Sequence, residues 1–288
     1  MVAALRRTDA NAAIHDTAFD ITDTPATEAA IQAARPDACV HLAAVSAVAD
    51  ARRDPALAWR VNLHGTLNLA RAIMAHAPEC LFVFTSSADA YGGSFRSGRS
   101  LDETAPLAPL NTYAATKAAA DLAVGAMAAE GLRALRLRAF NHTGAGQTEA
   151  FALPAFARQM ALIAAGRQDK VLRVGALDPR RDFLDVRDVC DAYALALDRG
   201  GELPAGTILN IASGIPRRLG DVLAEMMALA GIEARVETDA TKLRPTDIAT
   251  ACGDASAARR LLGWEPCIPW DRTLRDVLAD WAGRVAAE

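Results

Sequence analysis

Over about its first 140 residues this chain alternates short apolar runs with longer stretches of helical pattern, and that alternation restricts its fold more than any other feature. A strand reaches a parallel neighbour only through a crossover of roughly a dozen residues or more, usually a helix. Candidate strands lie at residues 2–5, 38–42, 81–84 and 134–137. Between them the helical pattern covers residues 26–34, introduced by Thr24-Pro25; residues 55–76, with Asp54 as N-cap and Pro55 as first helical residue; and residues 113–130. The spacing predicts an α/β protein with a doubly wound parallel sheet. After Asn141 the rhythm changes to a helix over 151–164, a strand over 171–174, a helix near 186–197 and a strand over 208–211. With no flexible linker visible, the expected division is a sheet domain of residues 1–142 and 182–213, interleaved with a smaller lobe of residues 143–181 and 214–288. In that lobe Trp264 and Trp270 are expected in the core.

The chain has 288 residues, 52% of them hydrophobic, enough for a substantial core. Its formal charge of -4, with scattered arginines, speaks against a nucleic-acid partner. No stretch approaches a membrane span and residues 1–7 are too short for a signal peptide, so a cytoplasmic protein with no membrane partner is expected. The five cysteines are widely spaced without any Cys-x-x-Cys, which fits reduced, buried thiols rather than disulfides or a zinc site.

Chemistry concentrates in two segments. Ser86, Ser87 and Asp89 follow an apolar strand, and Tyr113 and Lys117 open a helix, four residues apart and therefore on one face. A phenol titrates near pH ~10, and a nearby ammonium favours its ionised form, so a lowered Tyr113 pKa is expected. Tyr113 then exchanges protons with a substrate oxygen held by Ser87. The plainer reading of Tyr-x-x-x-Lys, a packed tyrosine and a solvated lysine, loses ground because the serine turn lies at a strand end, where open α/β sheets carry out their chemistry. Asp89 has two readings of equal weight, a turn-stabilising carboxylate and a substrate contact.

Several motifs, in order along the chain, make it resemble an extended short-chain dehydrogenase/reductase of the nucleotide-sugar type. These are Asp20-Ile21-Thr22-Asp23, His41-Leu42-Ala43-Ala44, Val61-Asn62 with Gly65-Thr66, the run from Arg138 through Phe140 and Asn141 to Gln147, Arg181 to Val189, Leu243-Arg244-Pro245-Thr246-Asp247, and Gly253-Asp254 to Trp264 and Pro266. The resemblance implies a Rossmann-like fold and reduction, with NADPH, of the C4 carbonyl of GDP-4-dehydro-6-deoxy-D-mannose to GDP-D-rhamnose. It implies cofactor contacts from Asp20, Ile21, Leu42, Ala43, Ala44, Asn62, Ser86, Tyr113, Lys117 and Phe140, and substrate contacts from Ser87, Asn141, Arg181 and Arg244. Guanidinium groups suit a diphosphate because they grip its oxygens in pairs; the plainer readings pair Arg181 with Asp182 and Arg244 with Asp247. Sugar-nucleotide dehydratases of the superfamily carry a glutamate base where this chain has Asp89, so elimination is less well equipped than reduction.

Arg6 and Arg7, beyond the expected strand 2–5, sit where a 2′-phosphate needs cations, which favours NADP with NAD as the alternative; two solvated strand-end charges are the other reading. No Gly-x-x-Gly-x-x-Gly phosphate turn occurs in the sequence. With residues 1–7 read as the second strand of the unit, roughly thirty residues are expected to be missing, through a misplaced start or a fragment. Two other functions stay open: a related dehydratase or 4-epimerase, and a non-catalytic binding protein. The resemblance also implies a homodimer paired through the alanine-rich helices at 55–76 and 113–130.

Overall fold

A computed structural model of the chain describes residues 13–15, 18–243 and 248–288. The expected strand at 2–5, Arg6, Arg7 and Arg244 lie outside the described residues.

Within them, the first part of the chain forms α1 (Thr24–Ala34), β1 (Ala38–His41), α2 (Val48–Arg53), α3 (Pro55–Trp59), a π-helical turn (Arg60–Gly65), α4 (Thr66–His76) and β2 (Leu81–Ser87). It continues through a 3-10 run (Ala88–Ser97), α5 (Thr112–Ala129), β3 (Ala134–Ala139) and β4 (Asn141–Thr143). Then follow α6 (Ala152–Ala164), β5 (Val171–Val174), β6 (Arg180–Asp185), α7 (Val186–Arg199), β7 (Thr207–Ile211), β8 (Pro216–Arg218), α8 (Leu219–Ala230), β9 (Arg235–Thr238), β10 (Thr250–Ala251), α9 (Ser256–Leu262) and α10 (Trp270–Ala287).

Local chemistry sets the helix starts. Asp23 accepts from the Ala26 N–H at 3.0 Å, Asp54 from Leu57 at 2.9 Å and Asn111 from Ala114 at 2.9 Å, each satisfying an N–H that the first turn leaves unpaired. The helix expected over 55–76 differs: it is broken by the π turn around Asn62. There the buried Asn62 amide accepts from the Val45 N–H at 2.7 Å and donates to the Val45 carbonyl at 3.1 Å and to Thr116 Oγ1 at 2.9 Å. One extra residue per turn is how a helix admits such a side-chain clamp, and π turns recur at functional sites for that reason.

β1, β2, β3 and β7 form a parallel sheet in that order, with Val83 in register with Val40 and Leu135, and Leu137 with Leu209. It is the Rossmann-like α/β arrangement expected from the alternation. β2 continues three residues past the expected end, because its pairing with β3 runs to Ser87 opposite Ala139. One face packs Phe82 and Phe84 against α4 and α5, and the other packs Val83, Leu137 and Ile211 against Tyr193 and Ala196 of α7. Phe82 and Phe84 are fully buried, each worth about 1.5–3 kcal/mol.

A smaller sheet, β10-β6-β4 with β8 antiparallel to β6, starts where β4 leaves the end of β3. A separate core joins α6, α8 and α10 through Phe156, Met160, Leu223, Leu274 and Trp281. Trp270 packs against that core, as expected, but Trp264 does not. It is 2% exposed in the core of the four-stranded sheet, with its indole N–H donated to the Asp188 carbonyl at 2.9 Å. The chain returns to the first sheet because Asp254 and α9 pack back onto it, with the Asp254 carbonyl accepting from Asn210 at 3.1 Å. All five cysteines are free, but only Cys80 and Cys252 are buried as expected; Cys39 and Cys190 are half-buried and Cys267 is exposed. Among the described residues no helix is long and apolar enough to cross a membrane.

Candidate active site

Alternation along β2 sends Ser86 and Ser87 to opposite faces. Ser87 ends the strand and caps the 3-10 run, its Oγ accepting from the Asp89 N–H at 3.2 Å. The turn then depends on Gly92, whose φ is +45° and where a Cβ would run into the Ala108 carbonyl. Its other anchor is Tyr91, fully buried, donating to Asn210 Oδ1 at 2.8 Å and accepting from Arg138 at 3.0 Å. On α5, Tyr113 lies near the capped start and Lys117 one turn further.

The structure brings Ser87, Asp89, Tyr113 and Lys117 together, with one correction. The half-buried Tyr113 phenol lies close enough to Ser87 to feel its hydroxyl, yet its pKa is pushed up to about 12 rather than lowered. Burial is the main cause, and the Asp89 carboxylate adds to it while Ser87 opposes it. Lys117 does not act on the phenol; it is 4% exposed, with Nζ 4.7 Å from the centroid of the Phe84 ring. Burial lowers the ammonium's own pKa to about 8, against the pull of Asp121. Tyr113 is therefore a proton donor at neutral pH, and Lys117 a marginal cation.

Asp121, fully buried, is the residue that sequence reasoning missed. It accepts from Arg138 Nε at 3.0 Å and Nη2 at 2.9 Å, from Arg136 Nη1 at 3.1 Å and from Ser86 Oγ at 2.6 Å. Hydrogen bonds and positive charge from these donors outweigh burial and hold its carboxyl below the usual range. A signal was present: Tyr113, Lys117 and Asp121 are spaced by four on one helix face, and two arginines interrupt an otherwise apolar strand.

The residues nominated for a cofactor divide. Leu42, at 51% exposure, and Ala43 lie open at the carboxyl end of β1, where parallel sheets bind ligands, with Ala44 half-buried beside them. Asp20 is exposed and turns the chain by accepting from the Thr22 N–H at 2.8 Å, while Ile21 is buried against Gly65. Two side chains face inward instead. The Ser86 hydroxyl is committed to Asp121, and the Phe140 ring is core, 6.0 Å from Phe95 and 6.5 Å from Tyr91. Neighbouring His41 is buried and bonded to Thr66 Oγ1 at 2.8 Å.

On the small sheet, Asn141 is exposed and in register with Phe183. Arg181, two residues earlier on β6, donates from Nη1 to the Arg180 carbonyl at 2.8 Å and the Ile248 carbonyl at 3.2 Å. Asp182 is not its counter-ion. That buried carboxylate accepts from the Ser213 N–H at 2.8 Å, the Ser213 hydroxyl at 2.6 Å and the Gly214 N–H at 2.9 Å.

The profile of a protein family described as GDP-mannose 4,6 dehydratase matches residues 2–277. Among curated proteins, the GDP-6-deoxy-D-mannose reductase of Pseudomonas aeruginosa is 36% identical over 254 residues, covering 88% of this chain and 83% of that protein. A UDP-glucose 4-epimerase of Rhizobium meliloti is 31% identical over 273 residues, covering 86% of this chain and 77% of that enzyme. Among solved structures, RMD from Pseudomonas aeruginosa complexed with NADPH superposes with a TM-score of 0.88 at 32% identity, over 97% of this chain and 94% of that one.

Proposed function

The chain belongs to the GDP-mannose 4,6-dehydratase family of nucleotide-sugar short-chain dehydrogenase/reductases, and on that premise we propose that it reduces the C4 carbonyl of GDP-4-dehydro-6-deoxy-D-mannose to GDP-D-rhamnose with NADPH. The observation that carries the reaction type is the Tyr113 phenol brought to Ser87 and Asp89, with Lys117 one turn further along the same helix. The 36% identity to a GDP-6-deoxy-D-mannose reductase supports the substrate, and the NADPH bound in the RMD structure supports the cofactor.

The exposed Leu42 and Ala43 suit a nicotinamide dinucleotide, since they follow His41, on which the Lys117 charge acts. When bound, the reduced nicotinamide supplies a hydride to the sugar C4. Ser87 donates a hydrogen bond to the carbonyl oxygen and fixes its position. Tyr113, protonated because its pKa is pushed up to about 12, gives that oxygen its proton as negative charge develops. Lys117, whose buried Nζ lies over the Phe84 ring and whose charge acts on His41 beside Leu42, would donate a hydrogen bond to the nicotinamide ribose. Arg181 and Arg244 hold the diphosphate, and Asn141 meets the sugar or a phosphate oxygen.

Asp89 is one methylene shorter than the glutamate base of sugar-nucleotide dehydratases and follows Ala88, which favours reduction over elimination. The identity to a UDP-glucose 4-epimerase supports a second reading. Supplying GDP-4-dehydro-6-deoxy-D-mannose, GDP-mannose and UDP-glucose separately separates them. NADPH consumption with the first alone is expected; turnover of UDP-glucose alone contradicts the proposal.

We also propose a homodimer. Leu67, Arg71 and Met74 of α4 and Ala123, Ala126 and Met127 of α5 line an open groove of about 640 Å³, whose small residues suit close helix packing. A monomeric mass in solution contradicts it.

A further inference from the structure

Arg136 and Arg138 share Asp121, and Arg187 meets both Asp185 and Asp276. Among the described residues, Arg217, on β8, has no such carboxylate. It is half-buried, its Nε is closed off from solvent and makes no hydrogen bond, and its guanidinium carbon lies 4.5 Å from the centroid of the Trp270 ring. Glu225 and Asp182 act on it only through space, and burial lowers its pKa against them. A cationic donor in that position has lost water without gaining an acceptor, which leaves its desolvation uncompensated.

The strand register sharpens the point. β8 pairs with β6 so that Arg217 stands directly opposite Arg181. Opposite residues project to the same face of a sheet, and like charges there repel. β4 pairs with β6 so that Asn141 stands opposite Phe183, two residues from Arg181 and on that same face. Phe183 and Trp270, with ring centroids 5.8 Å apart, supply an apolar floor beneath the Arg217 guanidinium. Two forked donors of like charge on one face suit a doubly charged anion whose oxygens can accept from both.

We propose that Arg217 is a binding residue for the diphosphate of the nucleotide sugar, shared across the strand pair with Arg181. This rests on the nucleotide-sugar reading above. It assigns the anion a second strand of the small sheet.

The test is calorimetric titration of the full chain and of Arg217→Met and Arg217→Lys with GDP, inorganic pyrophosphate and guanosine. Melting temperatures serve as the folding control. Arg217→Met is expected to bind GDP and pyrophosphate roughly tenfold or more weakly, with guanosine unchanged. Arg217→Lys keeps the stem and the charge but not the fork, and is expected to lose several-fold in GDP affinity. GDP and pyrophosphate affinities equal to the parent's in Arg217→Met overturn the proposal. If Arg217→Met does not fold, parental GDP affinity in Arg217→Lys overturns it. A parent chain that binds neither GDP nor pyrophosphate overturns the nucleotide-sugar reading and this inference with it, whereas a parent that binds both while the variants match it overturns the inference alone.

Discussion

Under the four-stranded sheet, Arg136 and Arg138 meet the Asp121 carboxylate within 3.1 Å, whereas on the small sheet Arg217 faces Arg181 across a strand pair and rests on Trp270. The first arrangement is closed: Ser86 and the arginines fill the acceptor sites of Asp121, and the helix carrying Tyr113 and Lys117 is tied to β2 and β3. In the second, the Arg217 Nε is closed off from solvent and makes no hydrogen bond. The cations that tie the helix to the first sheet have a carboxylate within hydrogen-bond reach, whereas Arg217 feels Glu225 and Asp182 only through space.

Four perturbations test that contrast, in order of expected effect. Tyr113→Phe removes the proton donor, so its kcat for NADPH oxidation should fall about a hundredfold to ten-thousandfold with the melting temperature little changed. Asp121→Asn acts on the closed side. It leaves Arg136 and Arg138 buried without their carboxylate, and denaturant unfolding should register a loss of about 3–5 kcal/mol. A pH–rate profile probes the junction between the two. Lys117 carries its charge below about 8 and Tyr113 keeps its proton to about 12, so kcat should hold on the acid side and fall as pH rises through about 8. A profile flat to pH 10 would remove Lys117 from the account. Glu79→Ala should matter least. Its ion pair with Arg133 is solvent-exposed, and unfolding should change by no more than about 1 kcal/mol.

The sheet was legible in the sequence because its signals are local: apolar runs of strand length, Asp54-Pro55 at a helix start and Asn111 two residues before Tyr113. The serine, tyrosine and lysine were legible as residue types at meaningful spacings. What escaped depends on contacts between distant segments. The π turn arises because Asn62 must reach Val45 and Thr116, fifty-four residues away along the chain. Trp264 returns to the first core because its indole finds the Asp188 carbonyl. The sign of the Tyr113 shift was misjudged because spacing reports Lys117 but neither the burial of the phenol nor the nearness of Asp89. Arg217 drew no notice in the sequence. Only the register of β6 and β8 shows that it faces Arg181.

Isotope transfer tests the central claim most directly. The chain is incubated with GDP-4-dehydro-6-deoxy-D-mannose and NADPH deuterated at the nicotinamide C4, and the sugar product is read by mass spectrometry and NMR. The account predicts GDP-D-rhamnose carrying one deuterium at C4. A product with no deuterium at C4, or no reduction of this substrate alongside unlabelled epimerisation of UDP-glucose, would contradict it.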